Sequence, residues 1–243
     1  MYTLIIEASN KALSVAVFHQ DVCLEHHVQY DTLQHSIHLA PAVDTVLHKA
    51  HLDVKQINRI IVSNGPGSYT GLRIGVTFAK TLAYALNIPL YAVSSLAALA
   101  QGSIGQKDTL IVPFFDARRQ HVYAGMYCNG EAKVQDSYLS FEALLERVCA
   151  YSKPILFVSP DIDVYETVLQ HYIAQMASKH IRYVKAYPEA KYMLPLMHTV
   201  QPTDVHVLTP FYLNKVEAEV NWEKQNGQLQ KDDILVERVA WGK

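Results

Sequence analysis

The sequence predicts an α/β protein built from two copies of one βββαβα unit, and three features of its 243 residues predict it. Strand-like apolar runs come in threes in each half. Each triplet is followed by a stretch whose apolar residues recur every three or four positions. A short β-branched run and a second helical stretch then close each half.

In the first half, Tyr2 to Glu7 reads as a buried strand, Leu13 to His19 alternates as a second, and Val22 to Tyr30 follows a Gln20-Asp21 turn as a third. Leu33 to Ala50 carries Leu33, Ile37, Ala40, Val43, Leu47 and Ala50 at helical spacing, with a bend expected at Pro41. Arg59 to Ser63 has the β-branched character of a central strand. A glycine-rich turn leads into a helix over about Leu72 to Leu86, which Asn87 and Pro89 end.

The second half repeats the order. Thr109 to Phe115, His121 to Cys128 and Lys133 to Tyr138 are strands, with Asn129-Gly130 as a hairpin turn. Ser140 caps a helix over Phe141 to Tyr151, Ile155 to Ser159 is a strand, and Val164 to Gln175 is the last helix. Ala186 to Lys243, punctuated by Pro188, Pro195, Pro202 and Pro210, has no readable pattern. The boundary is expected near Gln101 to Lys107, which gives an N-terminal lobe of residues 1–103 and a C-terminal lobe of residues 104–243. Duplicated βββαβα lobes resemble the actin, Hsp70 and sugar kinase superfamily, a ribonuclease H-like architecture with a cleft between lobes.

Composition narrows the function. The 21 Lys and Arg against 23 Asp and Glu leave a net charge of −2, which argues against a self-sufficient nucleic-acid binder. Only 18% of residues are charged, and 15 Tyr stand beside 7 Phe and 2 Trp. Both suit a surface that awaits a partner. Cys23, Cys128 and Cys149 are odd in number and widely spaced, so they suggest neither disulfides nor a metal knuckle. The start lacks a signal peptide's basic region, and no window suits a membrane span. A cytoplasmic location is expected.

The sharpest motif is Asn64-Gly65-Pro66-Gly67-Ser68-Tyr69-Thr70-Gly71-Leu72-Arg73-Ile74-Gly75, between strand and helix. Its glycines permit close backbone approach, either to an anion at the helix start or within a tight turn. Leu72-Arg73 stands where a Walker loop needs Lys, and the GxGxxxG spacing misses the dinucleotide fingerprint. Gly71, Gly75, Ala79 and Ala83 form a ridge of small residues that admits a close neighbour, the chain's own sheet or a partner helix. Glu7 and Asp116 end matching strands, where paired carboxylates would suit Mg²⁺; Arg118 and Arg119 beside Asp116 offer a charge-satisfied turn instead. His35 and His38 lack a third ligand, so no metal is expected on them.

The segment Gly65 to Gly75 resembles the GPGSFTGLRIG signature of the bacterial TsaB family. Gln34-His35-Ser36, Ser94-Ser95-Leu96, Asp116-Ala117-Arg118-Arg119 before Val122-Tyr123, and Pro210-Phe211-Tyr212-Leu213 resemble family landmarks in family order. The resemblance implies a noncatalytic scaffold that activates TsaD in threonylcarbamoylation of the adenosine beside the anticodon, in tRNAs reading codons that begin with A. It implies a homodimer when alone, a TsaD heterodimer, a TsaE-like ATPase partner, tRNA only through the complex, and ATP and metal on the partners rather than here. His35, Leu39, Gly71, Gly75, Ala79 and Ala83 are the interface expected on the first two long helices. Gly65, Pro66, Gly67, Ser68, Thr70, Gly71 and Arg73 form the signature loop, and Asp116, Arg118 and Arg119 the family turn. The family's usual Asp-Thr-Ser after the first strand is Glu7-Ala8-Ser9-Asn10 here, and His35 and His38 are one residue closer than the HxxxH pair of TsaD-like enzymes. An ATP- or metal-dependent enzyme of the same superfamily, a small-molecule kinase or a glycoprotease-like metallopeptidase, is the alternative.

Overall fold

Two five-stranded sheets carry the chain, and both follow one strand order. The computed structural model describes residues 1–30, 34–103, 105–176 and 180–214. The first sheet has β1 (Tyr2–Glu7) at its centre, antiparallel to β2 (Leu13–His19), which pairs with β3 (Val22–Gln29). On its other side β1 runs parallel to β4 (Ile57–Ser63), and β4 runs parallel to β5 (Leu90–Val93). The second sheet repeats this with β6 (Leu110–Asp116), β7 (His121–Cys128), β8 (Glu131–Ser140), β9 (Ile155–Ser159) and β10 (Ile181–Lys185). The orders β3-β2-β1-β4-β5 and β8-β7-β6-β9-β10 correspond strand for strand. This is the duplicated α/β architecture that the order of elements in the sequence predicts.

Each unit is thus βββαβαβ, one strand longer than expected. The added strands are short: Leu90–Val93 follows Pro89 directly, and Ile181–Lys185 is half exposed. Neither offers the length or alternation by which a strand is recognised. Local chemistry otherwise places the elements as anticipated. Gln20, Asn87, Asn129 and Gly130 take positive φ at the turns and the helix end, and the Ser140 hydroxyl accepts from the Ala143 amide at 3.2 Å.

The helices α1 (His35–Lys49) and α2 (Tyr69–Leu86) cover one face of the first sheet, where Leu39, Val43, Val46, Val76, Ala79 and Ala83 pack on Leu4, Ile6, Val15 and Ile60. The apolar stripe expected on α1 is displaced: Ile37 and Ala40 are exposed, while Leu39, Ala42 and Val46 are buried. The helices α4 (Phe141–Cys149) and α5 (Ile162–Gln175) cover the matching face of the second sheet.

Between the sheets lies α3 (Ser95–Gln101), which the sequence did not announce. Its Ala98 packs on the first sheet, and its Leu96, Leu99 and Ala100 pack on Ile111, Phe115, Tyr127 and Val158 of the second. After β10 the chain returns to the first sheet. Ala190, Met193, Leu196 and Met197 cover Ile5, Ala16, Phe18 and Ile61. Thr203 bridges Leu90 on the β5 edge, and Leu208 enters the α1–α2 core. Residues placed with the C-terminal lobe by sequence therefore complete the N-terminal sheet, and Met1–Leu213 form one unit. Residues 215–243 lie outside the described residues, as does Leu33, the expected start of the first helix.

Candidate functional site

The signature loop joins β4 to α2, and its glycines admit the chain's own backbone. A Cβ on Gly65 would collide with the Phe211 carbonyl oxygen, one on Gly67 with that of Ser9, and one on Gly71 with that of Ala8. Hydrogen bonds use these approaches: Ser68 N–H donates to Ser9 O at 2.6 Å, Phe211 N–H to Asn64 O at 2.6 Å, and Ser95 N–H to Gly65 O at 2.9 Å. The Gly65 amide donates to Ser95 Oγ at 3.2 Å, and Ser68 caps α2 by accepting from Gly71 N–H at 3.2 Å. Of the two readings of the glycines, the tight turn is the one built. Pro66 follows a cis peptide bond, Thr70 is exposed, and Arg73 lies over the Tyr69 ring at 4.1 Å and donates to Tyr212 Oη at 3.1 Å.

Beneath this loop sits the β1–β2 turn, with Ala8, Ser9, Asn10 and Ala12 all buried. Glu7 is completely buried; its Oε1 accepts from Ser9 N–H at 2.6 Å and Ser9 O–H at 2.5 Å, while Oε2 has no hydrogen-bond partner. Burial pushes the Glu7 carboxyl above its ordinary value, because ionisation there loses the solvation of water. His35, the first residue of α1, is buried against the Asn10 and Ala12 backbone with its Nε2 unpaired, and burial pushes it below its ordinary value.

The matching turn of the second unit is built differently. Arg118, Arg119 and Gln120 take positive φ in succession, and Arg118 and Arg119 are exposed. Asp116 is satisfied by the Arg118 amide at 3.1 Å and by Tyr165 O–H at 2.7 Å, where a guanidinium was expected. Glu7 and Asp116 are each hydrogen-bonded within their own sheet's turn. What joins the turns is Lys11, whose Nζ lies 2.8 Å from Asp161 Oδ1, while Asp161 Oδ2 accepts from the Asp116 amide at 3.0 Å.

A second link between the sheets escaped the sequence reading. Asp136 on β8 is largely buried and accepts from Ser94 O–H at 2.5 Å and from Tyr127 O–H at 2.6 Å. Burial raises its carboxyl, while the two hydroxyl donors oppose the rise. Ser94 also caps α3 through the Ala97 amide at 3.0 Å, and the next residue, Ser95, holds Gly65. The Ser94-Ser95 cap was the available signal; a lone Asp in a strand carries none.

All six residues expected at a partner interface face inward. His35, Leu39, Ala79 and Ala83 are at most 6% exposed, and Gly71 and Gly75 are buried, with Gly75 against Ala8 and Ile6. The small-residue ridge serves the chain's own β1, because α2 must lie close to a central strand. The outward faces present other residues: Ile37, Ala40 and Pro41 on α1, and Thr70, Arg73, Thr77, Thr81 and Tyr84 on α2. Among the described residues, no helix is long and apolar enough to cross a membrane.

Residues 30–222 match the family model described as TsaD, tRNA N6-adenosine threonylcarbamoyltransferase. The chain is 36% identical over 231 residues to the tRNA threonylcarbamoyladenosine biosynthesis protein TsaB of Bacillus subtilis, covering 91% of this chain and 98% of that protein. It is 27% identical over 239 residues to TsaB of Haemophilus influenzae, covering 93% and 97%. Among solved structures it is similar to YeaZ from Pseudomonas aeruginosa, with a TM-score of 0.68 at 26% identity over 87% of this chain and 99% of that one. With the signature loop in place on the duplicated fold, the chain belongs to the TsaB family of tRNA threonylcarbamoyladenosine biosynthesis proteins.

Proposed function

We propose that this protein is a noncatalytic scaffold and activating partner of a TsaD-type protein in threonylcarbamoylation of the adenosine beside the anticodon. Our reading places it in the cytoplasm, with a TsaE-like ATPase as a further partner and with ATP and metal bound by the partners. One observation carries the reading: the motif that would cradle a phosphate is filled by the carbonyls of Ala8, Ser9 and Phe211. The carboxylate beneath it is sealed from solvent. A site so occupied has no room for the chemistry, and the remaining asset is surface. The outward α1 and α2 faces, with Ile37 61% and Tyr84 66% exposed, supply apolar and aromatic groups of the kind that anchor interfaces. The same faces would pair two copies when the partner is absent.

The test is association with a TsaD-type protein from the same organism, measured by calorimetry with Ile37→Glu and Thr77→Arg, both at exposed positions. Each should weaken binding at least tenfold, about 1.4 kcal/mol, with unchanged unfolding. Full affinity in both variants would place the interface elsewhere.

A further inference from the structure

We infer that Ser14 and His26 form a proton-controlled latch on the segment 187–197: the neutral imidazole holds this strap on the first sheet, and protonation of the imidazole releases it. After β10 the chain turns back, and the helical turn Ala190–Tyr192 packs on β1, β2 and β3. Ala190, Met193, Leu196 and Met197 then cover Ile5, Ala16, Phe18 and Ile61. Apolar burial of this kind is non-directional, so it holds the strap down without fixing where it starts. Polar contacts at residues 187–191 do that.

Ser14 stands at their centre. It is completely buried, and its Oγ accepts from the Ala190 amide at 2.9 Å. The hydroxyl proton is left to donate to His26 Nε2, 2.8 Å away on the neighbouring strand. That bond requires an imidazole whose own proton sits on Nδ1, the neutral form. Beside this chain of bonds, Tyr30 O–H donates to Glu189 Oε1 at 3.1 Å, and the Tyr30 ring lies 4.9 Å from that of Tyr187.

A proton on His26 Nε2 would face the Ser14 hydroxyl donor to donor. Ser14 Oγ could accept it only by leaving its own proton without an acceptor, away from solvent, which is costly. Ala16, the cross-strand partner of His26, packs on the strap, so the strap supplies the charges that face the imidazole. Glu189 would welcome an imidazolium, with Oε2 3.7 Å from Nε2, but the Lys191 ammonium already lies 2.7 Å from that oxygen. Burial pushes the imidazole below its ordinary value; Glu189 opposes this, while Lys191 and the adjacent His27 add to it. The latch is therefore complete above the ordinary histidine value of 6.5 and weakens as pH falls below it. From the strap the chain runs on to Leu208 in the α1–α2 core and Phe211 on the signature loop, so one proton bears on both faces of the first sheet.

The experiment follows amide exchange of the full chain by mass spectrometry at a series of pH values on both sides of 6.5, corrected for the intrinsic rate at each pH. Protection of residues 187–197 should fall by up to about tenfold per pH unit below 6.5, the slope of one proton, while α4 keeps its protection. His26→Gln retains an acceptor for Ser14 and has no titrating ring, so its strap should stay protected throughout. Ser14→Ala removes the latch, and strap protection should be about five- to tenfold lower than wild type above 6.5 and flat with pH. His198→Gln, at an exposed histidine beside the strap, should behave as wild type. Strap protection that is constant with pH, that rises as pH falls, or that keeps its pH dependence in His26→Gln would each overturn the latch. So would Ser14→Ala exchange identical to wild type, or a pH dependence abolished by His198→Gln.

Discussion

The β1–β2 turn and the β6–β7 turn occupy equivalent places in two sheets of identical order, yet one is buried and the other exposed. The first accepts the signature loop, whose glycines bring α2 and the Phe211 segment onto its carbonyls. Among the described residues the second has no glycine loop above it, and its three left-handed residues are exposed. Duplication thus supplied two copies of one turn, and the chain uses one as an internal joint and the other as surface. The joint reaches across the sheets as well: Gly65 to Ser95, Ser94 to Asp136, and Lys11 to Asp161.

The largest effect is expected at Gly71, where α2 meets the buried turn. Alanine in a helix normally gains about 1 kcal/mol over glycine, but here its methyl would meet the Ala8 carbonyl. Gly71→Ala should cost more than about 3 kcal/mol in urea unfolding, whereas Gly105→Ala, with nothing within 4 Å, should stay within about 0.5 kcal/mol. Next comes Ala79→Leu, which forces a larger side chain between α2 and β1 and should cost about 1 to 3 kcal/mol. That loss should appear in the isolated chain.

Protonation sharpens the contrast further. His35 is held neutral by burial, so its contribution is complete above the ordinary histidine value of 6.5 and is lost as pH falls below it. Glu7 has the opposite sense. Its raised carboxyl favours the folded state most below the ordinary 4.5, and that advantage is lost as pH rises toward the folded value. Glu7→Gln keeps an oxygen for Ser9 and removes the buried charge, so it should stabilise the chain at neutral pH, with the gain closing below 4.5. A stability profile of the Glu7→Gln variant that rises steadily from acid to neutral pH would show the His35 contribution unmasked. The smallest effect belongs to the open turn, where Gln120→Gly should gain about 0.5 to 1 kcal/mol by relieving a left-handed residue.

What the sequence disclosed follows from the range of each interaction. Helical and strand spacing is local, so the eight strands and four helices that spacing predicts stand at their expected places, and Ser140 and Asn87 mark helix ends by cap chemistry. Ile181–Lys185 and Leu90–Val93 are held by neighbours distant in sequence, and nothing in four or five residues announces that. The small-residue ridge was legible as a close contact, but spacing alone does not say which body approaches; β1 does. The signature loop was legible as a loop that lets backbones meet. Its partners, Ser9, Ser95 and Phe211, come from three separate segments and became visible only in the fold.

The most direct test of a scaffold with an occupied first turn is reconstitution with the carboxylates removed. Glu7→Gln/Asp116→Asn preserves the acceptors used by Ser9, Arg118 and Tyr165 while abolishing any ionised carboxylate at either strand end. Threonylcarbamoyladenosine formed on tRNA by the TsaD-type partner with this variant should match the wild-type rate within about twofold, a difference of about 0.4 kcal/mol. A folded, partner-binding variant that no longer supported modification would show that this chain takes part in the chemistry, and would contradict the account.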